Sequence, residues 1–336
     1  MLNYFYVSGF FAVVGLTGAY FYGGLAGVAI AAILSLMEVS LSFDNAIVNA
    51  TVLKDMDPKW RQRFLTWGIL IAVFGMRLLF PLALVSCVTS LNLWEVLKLA
   101  LETPEIYSQH LLSAHASISA FGGMFLLMVF LTFILDHKRD VHWLGELERK
   151  IGQVGNLESI QVILGLIVLV VIQYFAAPEY RFTVLVSGIA GLSIYVIINS
   201  LSKLMNQHFI QTHAGSQIKQ TGIMSFVYLE LLDASFSFDG VIGAFAITKD
   251  IVIIMIGLGI GAFFVRSLTV LLVQKRTLQN YIYLEHGAYY ALGALAVMML
   301  MSIYYDIPEV IIGSVGFVLI ALSYYSSVRF MRRRDG

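Results

Sequence analysis

Residues 38–44 read EVSLSFD, and residues 233–239 read DASFSFD. Each heptad opens with an acid, places serines at its third and fifth positions, and closes with Phe and Asp. Both lie inside long apolar segments, where a charged side chain at the centre of a membrane helix costs about 2.5–3.5 kcal/mol. Because the chain carries this cost twice with the same spacing, the heptads indicate a duplicated site with a function.

The composition is that of a membrane protein. The 336 residues are 59% hydrophobic and 12% charged, whereas soluble domains carry about 25% charged residues. Lys plus Arg and Asp plus Glu number 21 each, so there is no basic excess to favour a nucleic-acid partner. The single cysteine, Cys87, excludes a disulfide framework within the chain and a thiolate metal cluster.

Apolar segments of about 20 residues predict an all-α, polytopic membrane protein with ten transmembrane helices. The predicted spans are 2–20, 24–53, 64–90, 116–136, 159–176, 181–202, 220–248, 251–273, 287–305 and 308–328. The first is interpreted as a retained span rather than a signal peptide. Segment 91–115 carries acids and a proline, which favours a surface helix and a loop over a further span.

The loops support this count through their basic residues. One alternating set, 54–63, 137–158, 203–219, 274–286 and the C-terminal tail, holds 16 Lys and Arg, whereas the opposite set holds 3. Cytoplasmic loops are enriched in Lys and Arg. The asymmetry therefore predicts that both termini are cytoplasmic, and the polar linker 137–158 is expected to be a solvated loop or a short amphipathic surface helix.

The two heptad regions are copies of one unit. A shift of 195 positions aligns the two heptads, and the spans that follow them match when Arg77 is aligned with Arg266. Five crossings separate the copies, which predicts inverted-topology repeats of the kind found in secondary transporters. The single transmembrane domain 1–336 then divides into a first repeat (24–136), a linker with two connecting spans (137–219), a second repeat (220–305), and a last span with a basic tail (306–336).

The predicted spans contain five acids and two arginines. The acids are Glu38, Asp44, Glu230, Asp233 and Asp239, and the arginines are Arg77 and Arg266. If all ionise, three negative charges remain for protons or a cation to neutralise. Glu38 and Asp44 lie six positions apart, which places them about 120° apart on a regular helix. We therefore expect a break near residues 43–45 in the second span and, at Gly240 and Gly243, in the seventh.

The residue types predict a cation site. Carboxylate, amide and hydroxyl oxygens suit Mg²⁺, Ca²⁺ and Mn²⁺; the alternative is that these groups hold helices together by hydrogen bonds. The predicted metal ligands are Glu38, Asp44, Asn45, Asp233 and Asp239, and the predicted supporting residues are Ser42, Ser237, Glu230, Arg77 and Arg266. No nucleotide-binding, serine-hydrolase or metalloprotease motif occurs in the sequence, so an enzyme is not expected.

The chain resembles the TerC-like family of bacterial integral membrane proteins, in its longer branch. The resemblance rests on EVSLSFDNAIV (38–48) and LLDASFSFDGVIGAFAITKD (231–250), the second followed by the span with Arg266. It implies manganese export, with Glu38, Asp44 and Asn45 matching the first acidic motif and Asp233 and Asp239 the second. The family often has Ser where this chain has Gly240, which removes one oxygen ligand.

The favoured hypothesis is a secondary exporter of divalent cations, Mn²⁺ first, in the bacterial inner membrane. Its expected partners are the lipid bilayer, the transported ion and protons in exchange, with no resident cofactor. One alternative is a non-transporting membrane component of a tellurite- or metal-stress complex, which predicts that partners dock on the 137–158 loop. Another is an amino-acid exporter that uses Arg77 and Arg266 to bind a carboxylate.

Overall fold

A computed structural model describes residues 5–155, 157, 159–212, 222–275, 281–305 and 307–334. Side chains are described for these residues except 87–88, 205–212, 238–239, 309–310 and 334. The described part of the chain is helical and contains no β-strand. Six of its helices are long and apolar enough to cross a membrane, or seven if one bent pair counts as a single span. The predicted class, an all-α membrane protein, is confirmed at this level.

The helices follow one another with short connections. They are α1 (Tyr6–Leu41), α2 (Phe43–Asp55), α3 (Pro58–Arg63), two π-helical segments (Phe64–Gly68 and Ile71–Leu79), α4 (Phe80–Thr89), α5 (Leu93–Glu102), α6 (Pro104–Ser113), α7 (His115–Ile134), α8 (Glu146–Val154), α9 (Ile160–Phe175), α10 (Arg181–Thr212), α11 (Gly222–Ile247), α12 (Ile251–Gln274), α13 (Leu284–Met301) and α14 (Glu309–Arg334).

Helix α1 is folded back on itself at Gly24, whose φ of 62° and ψ of −154° are not helical. A Cβ on Gly27 would lie 2.9 Å from the carbonyl oxygen of Ala19, although eight residues span about 12 Å along a straight helix. Such a φ is strained for a residue with a side chain, which explains glycine at position 24. The predicted boundary between spans 2–20 and 24–53 coincides with this reversal.

Both arms of α1 pack on α12. The hydroxyl of Ser8 donates to the carbonyl of Phe263 at 2.7 Å, and Gly257 lies directly against Leu34. Along the first arm, successive residues contact α12 at progressively lower residue numbers. Along the second arm, successive residues contact α12 at progressively higher numbers. The second arm, which carries the first heptad, is therefore parallel to α12.

The predicted helix breaks are confirmed in the first copy and wrong in the second. Ser42, with φ −98° and ψ 16°, separates α1 from α2, one residue before the expected position. In contrast, α11 is a single helix across Gly240 and Gly243. An unpredicted bend of 47° instead separates Pro58–Gly68 from Ile71–Ser86, so the predicted span 64–90 is interrupted.

Segment 91–115 forms two short helices, α5 and α6, of ten residues each. Each is about 15 Å long, which is too short to cross a bilayer. Asn92 caps α5 by accepting from the amide of Glu95, whose side chain accepts from the amide of Asn92. The expectation that this segment is not a span is confirmed. The segment was expected to contain one helix and a loop, but the structure has a second helix in place of the loop.

Close packing between α1 and α12 gives a stability prediction. A Cβ on Gly257 would lie 2.6 Å from the Cβ of Leu34 and 2.9 Å from the carbonyl of Ala31, whereas one on Gly259 would meet its nearest neighbour at 3.6 Å. Gly257→Ala is therefore expected to destabilise the protein by about 1–3 kcal/mol. Gly259→Ala, the matched control, should be neutral or stabilising by up to about 1 kcal/mol. Thermal unfolding in detergent measures both; equal melting temperatures would contradict the packing argument.

Candidate functional site

A buried cavity of about 40 Å³ lies where the two heptad regions meet. Its walls come from α2, both π segments, α11 and α12. The polar residues that line it are Ser42, Asn45, Asn49, Arg77, Asp233, Ser237, Arg266 and Thr269. Six of these eight are predicted site residues, so the structure brings much of the predicted site to one place.

The two heptad regions pass each other in opposite directions. Near one end, a Cβ on Gly240 would lie 2.9 Å from a carboxylate oxygen of Glu38. Near the other, Nδ2 of Asn49 donates to Oδ1 of Asp233 at 2.8 Å. The two heptad regions are therefore antiparallel where they meet. Gly240 leaves room for Glu38, which gives this glycine a role in packing.

Glu38 is paired with Arg77, and both side chains are buried. The hydroxyl of Ser42 donates to Oε1 of Glu38 at 2.8 Å, and Nη1 of Arg77 donates to the carbonyl of Ala72 at 2.6 Å. Burying two charges costs several kcal/mol each unless further hydrogen bonds compensate. Here each partner has one such bond, and Arg77 neutralises the first acid of the first heptad.

Asp233 faces the cavity with amide and hydroxyl groups around it. Besides its bond from Asn49, it lies within electrostatic reach of Arg77 and Arg266. Three buried oxygens in the cavity wall have no hydrogen-bond partner: Oδ1 of Asn45, Oδ1 of Asn49 and Oγ of Ser237. Buried polar atoms are normally paired. These three therefore indicate a place for a polar occupant.

Arg266 interacts differently from Arg77. Its Nη2 donates to the carbonyl of Phe64 at 2.8 Å, and its guanidinium lies 5.0 Å from the centre of the Phe64 ring. Glu230, on the neighbouring α11, packs against Gly68, where an added Cβ would lie 2.8 Å from Oε1. Both carboxylate oxygens of Glu230 are buried without a hydrogen-bond partner.

Three predicted ligands, Glu38, Asp44 and Asp239, are not among the described residues of the cavity wall. Asp44 is buried, but its carboxylate accepts from the amide of Asn45 and lies beside Gly316 of α14. The side chain of Asp239 lies outside the described residues, although its backbone belongs to α11. The sequence leaves open whether Glu38 and Asp44 reach the same ion. In the structure the two carboxylates have different neighbours, since Glu38 pairs with Arg77 and Asp44 lies against α14.

No group of three or more His, Cys, Asp or Glu side chains close enough to hold a metal ion occurs among the described residues. The cavity instead combines one carboxylate, Asp233, with amide and hydroxyl oxygens. Asn49 was not among the predicted ligands, although it follows Asn45 by one helical turn and so shares its face. The carbonyls of Phe64 and Ala72, which hold the arginines, have no sequence signal.

The linker helix α8 is attached to the core by a second buried pair. Nε2 of His286, on α13, lies 3.2 Å from Oε1 of Glu148 and 2.9 Å from the carbonyl of Val141. Burial raises the pKa of Glu148, but hydrogen bonds from His286 and the amide of Leu144 outweigh it, so the pKa is lower than usual. The predicted amphipathic helix is therefore present, and it is docked rather than freely solvated.

The Glu38–Arg77 pair predicts strong energetic coupling. Glu38→Gln or Arg77→Gln alone leaves one buried charge without its partner, which is expected to cost about 3–5 kcal/mol. The double variant should recover most of that loss. The exposed pair Glu146–Arg149, substituted in the same way, provides a control with coupling of about 1 kcal/mol or less. Unfolding in mixed detergent measures the cycle, and additive losses at the buried pair would refute it.

The Glu148–His286 pair predicts that docking of α8 depends on pH. Because the pKa of folded Glu148 lies below the usual 4.5, its stabilisation is complete above that value and is lost as the pH falls below it. Hydrogen-exchange protection of residues 146–154, corrected for the intrinsic rate, should therefore drop below pH 4.5. Glu148→Gln should weaken the protection and remove this dependence, whereas exposed Glu146→Gln should retain both. A pH profile unchanged by Glu148→Gln would contradict this assignment.

Comparison with known proteins gives a family without an activity. Residues 43–334 match the profile of the family described as "Protein of unknown function (DUF475)". No curated protein and no solved structure matches the chain. The matched segment includes α2, the π segments, α11 and α12, which form the walls of the cavity. The chain belongs to the DUF475 family.

Proposed function

We propose that this chain is a secondary transporter of hard divalent cations, with Mn²⁺ as the first candidate, and that the buried cavity is its substrate site. The observation that carries the proposal is the set of unpaired oxygens of Asn45, Asn49 and Ser237 beside the carboxylate of Asp233. Oxygen donors of these kinds are preferred by Mg²⁺, Ca²⁺ and Mn²⁺. An ion there would satisfy groups that otherwise lose hydrogen bonds.

The size of the cavity favours an ion over an organic substrate. At about 10–15 Å³ per water molecule, a cavity of about 40 Å³ holds a cation with part of its hydration shell. A zwitterionic amino acid needs several times this space. The Nη2 groups of the two arginines that would bind its carboxylate already interact with Glu38 and with the carbonyl of Phe64, although Nε of each arginine has no hydrogen-bond partner. An amino-acid exporter therefore fits this conformation less well.

The contacts between the copies support an inverted repeat. Leu34 of the first copy packs on Gly257, and Glu230 of the second packs on Gly68. In the sequence alignment Gly68 corresponds to Gly257, while Leu34 and Glu230 occupy nearly equivalent positions before the heptads. Each heptad helix therefore packs on the arginine-bearing segment of the other copy. This reciprocal arrangement is expected of a two-fold relation in the membrane plane.

Ten crossings with cytoplasmic termini remain our proposed topology. The two arms of α1, the second continued by α2, supply two crossings, and the bent segment 58–86 supplies a third. Helices α7, α9, α10, α11, α12, α13 and α14 supply seven more. The basic loops then share one side, as cytoplasmic loops do, and a bacterial inner membrane is the proposed location.

The choice of Mn²⁺ among hard cations rests on the resemblance of the two motifs to the TerC-like family. In this proposal Asp233 is the charged ligand, with Asn45, Asn49 and Ser237 completing the set. Arg77 keeps Glu38 neutralised, and Arg266 offsets part of the charge of Glu230 and Asp233. Carboxylates that lose the ion need another partner, which motivates exchange for protons.

Removal of the Asp233 charge tests the proposal. Asp233→Asn should weaken Mn²⁺ binding to the purified protein by at least about 10–100-fold, because the loss of even an outer-shell partner of a metal ligand costs that much, and cells that carry this variant should retain Mn²⁺ under manganese load. Asp140→Asn, the same change at an exposed linker position, should behave as the unmodified protein. Isothermal titration and cellular manganese content are the measurements.

A double variant, Asp44→Asn with Asp239→Asn, examines two of the three predicted ligands outside the described cavity wall; the third, Glu38, is paired with Arg77. Reduced export with binding retained would place them on the transport route rather than in the binding site. Equal manganese content in cells with and without the protein would reject manganese export altogether. Binding unaffected by Asp233→Asn would reject the cavity as the site.

A further inference from the structure

Glu230 of α11 is a buried acid outside the proposed set of metal ligands. Its exposed fraction is 7%, and neither oxygen of its carboxylate has a hydrogen-bond partner among the described residues. Glu38, the buried acid of the first copy, accepts hydrogen bonds from Ser42 and Arg77. Glu230 therefore lacks the donors with which a buried carboxylate is normally stabilised.

The charged groups near Glu230 come from two helices. Asp233, one turn later on α11, and Arg266 on α12 lie within electrostatic reach of its carboxylate. Among the described side chains, neither forms a hydrogen bond with Glu230. The π segment Phe64–Gly68, which packs on Glu230 at Gly68, contains no charged residue. One acid and one arginine thus act on Glu230 in opposite directions without contacting it.

Other charged side chains on helices that pack on α11 interact elsewhere. They are Glu38 with Arg77, Lys54 with Glu285, Arg61 with the carbonyls of Lys54 and Met56, and Arg63 with the ring of Trp60. These interactions leave the oxygens of Glu230 without a donor.

The surroundings of Glu230 suit a proton rather than a metal ion. Hard divalent cations need about six or more oxygen ligands, from the protein or from water. Glu230 does not line the buried cavity, where such an ion has room. Because a Cβ on Gly68 would lie 2.8 Å from Oε1 of Glu230, the carboxylate packs directly against the backbone of the π segment. A proton needs neither space nor further ligands, and a buried acid without partners is neutralised by one.

Glu230 lies one helical turn from Asp233, the charged ligand of the proposed cation site. Three residues along α11 correspond to a rise of about 4.5 Å, and charges this close interact strongly away from water. Glu230 is the nearer of the two to the N-terminal end of α11, which adjoins the basic loop 203–219. Under the proposed topology this end is cytoplasmic.

We propose that Glu230 is the proton-binding residue of the exchange: it carries a proton while the buried cavity is empty and releases the proton when a divalent cation binds at Asp233. In the release step the O–H bond of Glu230 breaks and the proton passes to water on the cytoplasmic side. The site thereby gains two positive charges and loses one. Departure of the cation leaves two acids close together, and Glu230 takes up a proton from water again. The inference rests on the proposed function, whose site it couples to protons.

The pH dependence of Mn²⁺ binding tests this role. Release of one proton per bound ion raises the association constant about tenfold per pH unit. Isothermal titration of the purified protein around neutral pH should show at least this slope. Glu230→Gln, which resembles the protonated acid, should still bind Mn²⁺ but with the slope reduced by one proton. Glu102→Gln, the same change at an exposed position of α5, should retain the full slope. An affinity independent of pH in the unmodified protein, or a slope that Glu230→Gln leaves unchanged, would overturn the inference.

Infrared difference spectra provide a second measurement, made first on the unmodified protein. Addition of MnCl₂ should remove the carbonyl band of a protonated carboxylic acid and add carboxylate bands, whereas choline chloride at equal ionic strength should not. In Glu230→Gln this change should be absent. A spectrum of the unmodified protein without loss of the acid band, at saturating Mn²⁺, would overturn the inference whether or not the variant folds.

The two proposals fail in different ways. An unmodified protein that binds no Mn²⁺ rejects the proposed function. Mn²⁺ binding that is weakened by Asp233→Asn, with a pH slope and an infrared change that Glu230→Gln leaves unaltered, supports the proposed function and rejects the role of Glu230.

Discussion

The buried pair of Glu38 and Arg77 is the interaction around which the site is arranged. A carboxylate and a guanidinium removed from water are stable only with each other and with further hydrogen bonds. Ser42 supplies one of these bonds from the break between α1 and α2. A Cβ on Gly261 would lie 2.5 Å from the Cβ of Glu38, so glycine there admits the acid. The ion pair therefore combines three features of the fold. The helix break at Ser42 supplies a hydrogen bond, a π segment carries Arg77, and the close crossing of α1 and α12 at Gly261 accommodates Glu38.

The arginines of the two copies have different partners. In the first copy the arginine neutralises the acid directly. In the second, Arg266 donates to the carbonyl of Phe64 and lies near its ring, and no ion pair joins it to Glu230 or Asp233 among the described side chains. Among the described side chains, Glu230 and Asp233 of the second copy and Asp44 of the first are therefore acids without a direct ion pair. Under the proposed function, a cation in the cavity has Asp233 as its charged ligand, with neutral oxygens of Asn45, Asn49 and Ser237 around it.

The sequence allowed the class of fold and the meeting of the two copies to be predicted, because hydrophobicity and internal repetition are properties of the chain itself. The break near residue 43 was also predictable, since regular helical geometry separates Glu38 from Asp44. The orientation of the Asp44 side chain was not predictable, because its carboxylate packs against Gly316 in a helix that is distant in the sequence. Gly240 was misinterpreted as a point of unwinding. Its role is to accommodate Glu38, a contact between copies that no local pattern encodes.

The linker 137–158 is docked on α13, which restricts how these two segments can move relative to each other. Arg139 of the linker lies over the ring of Phe133, which stacks on Tyr289 of α13 at 4.0 Å. The buried Glu148–His286 pair holds the linker to the same end of α13. Any movement of α13 must therefore carry the linker along or break these contacts. Breaking them leaves the buried carboxylate of Glu148 without its partner, so movement of α13 and the linker as one body has the lower cost.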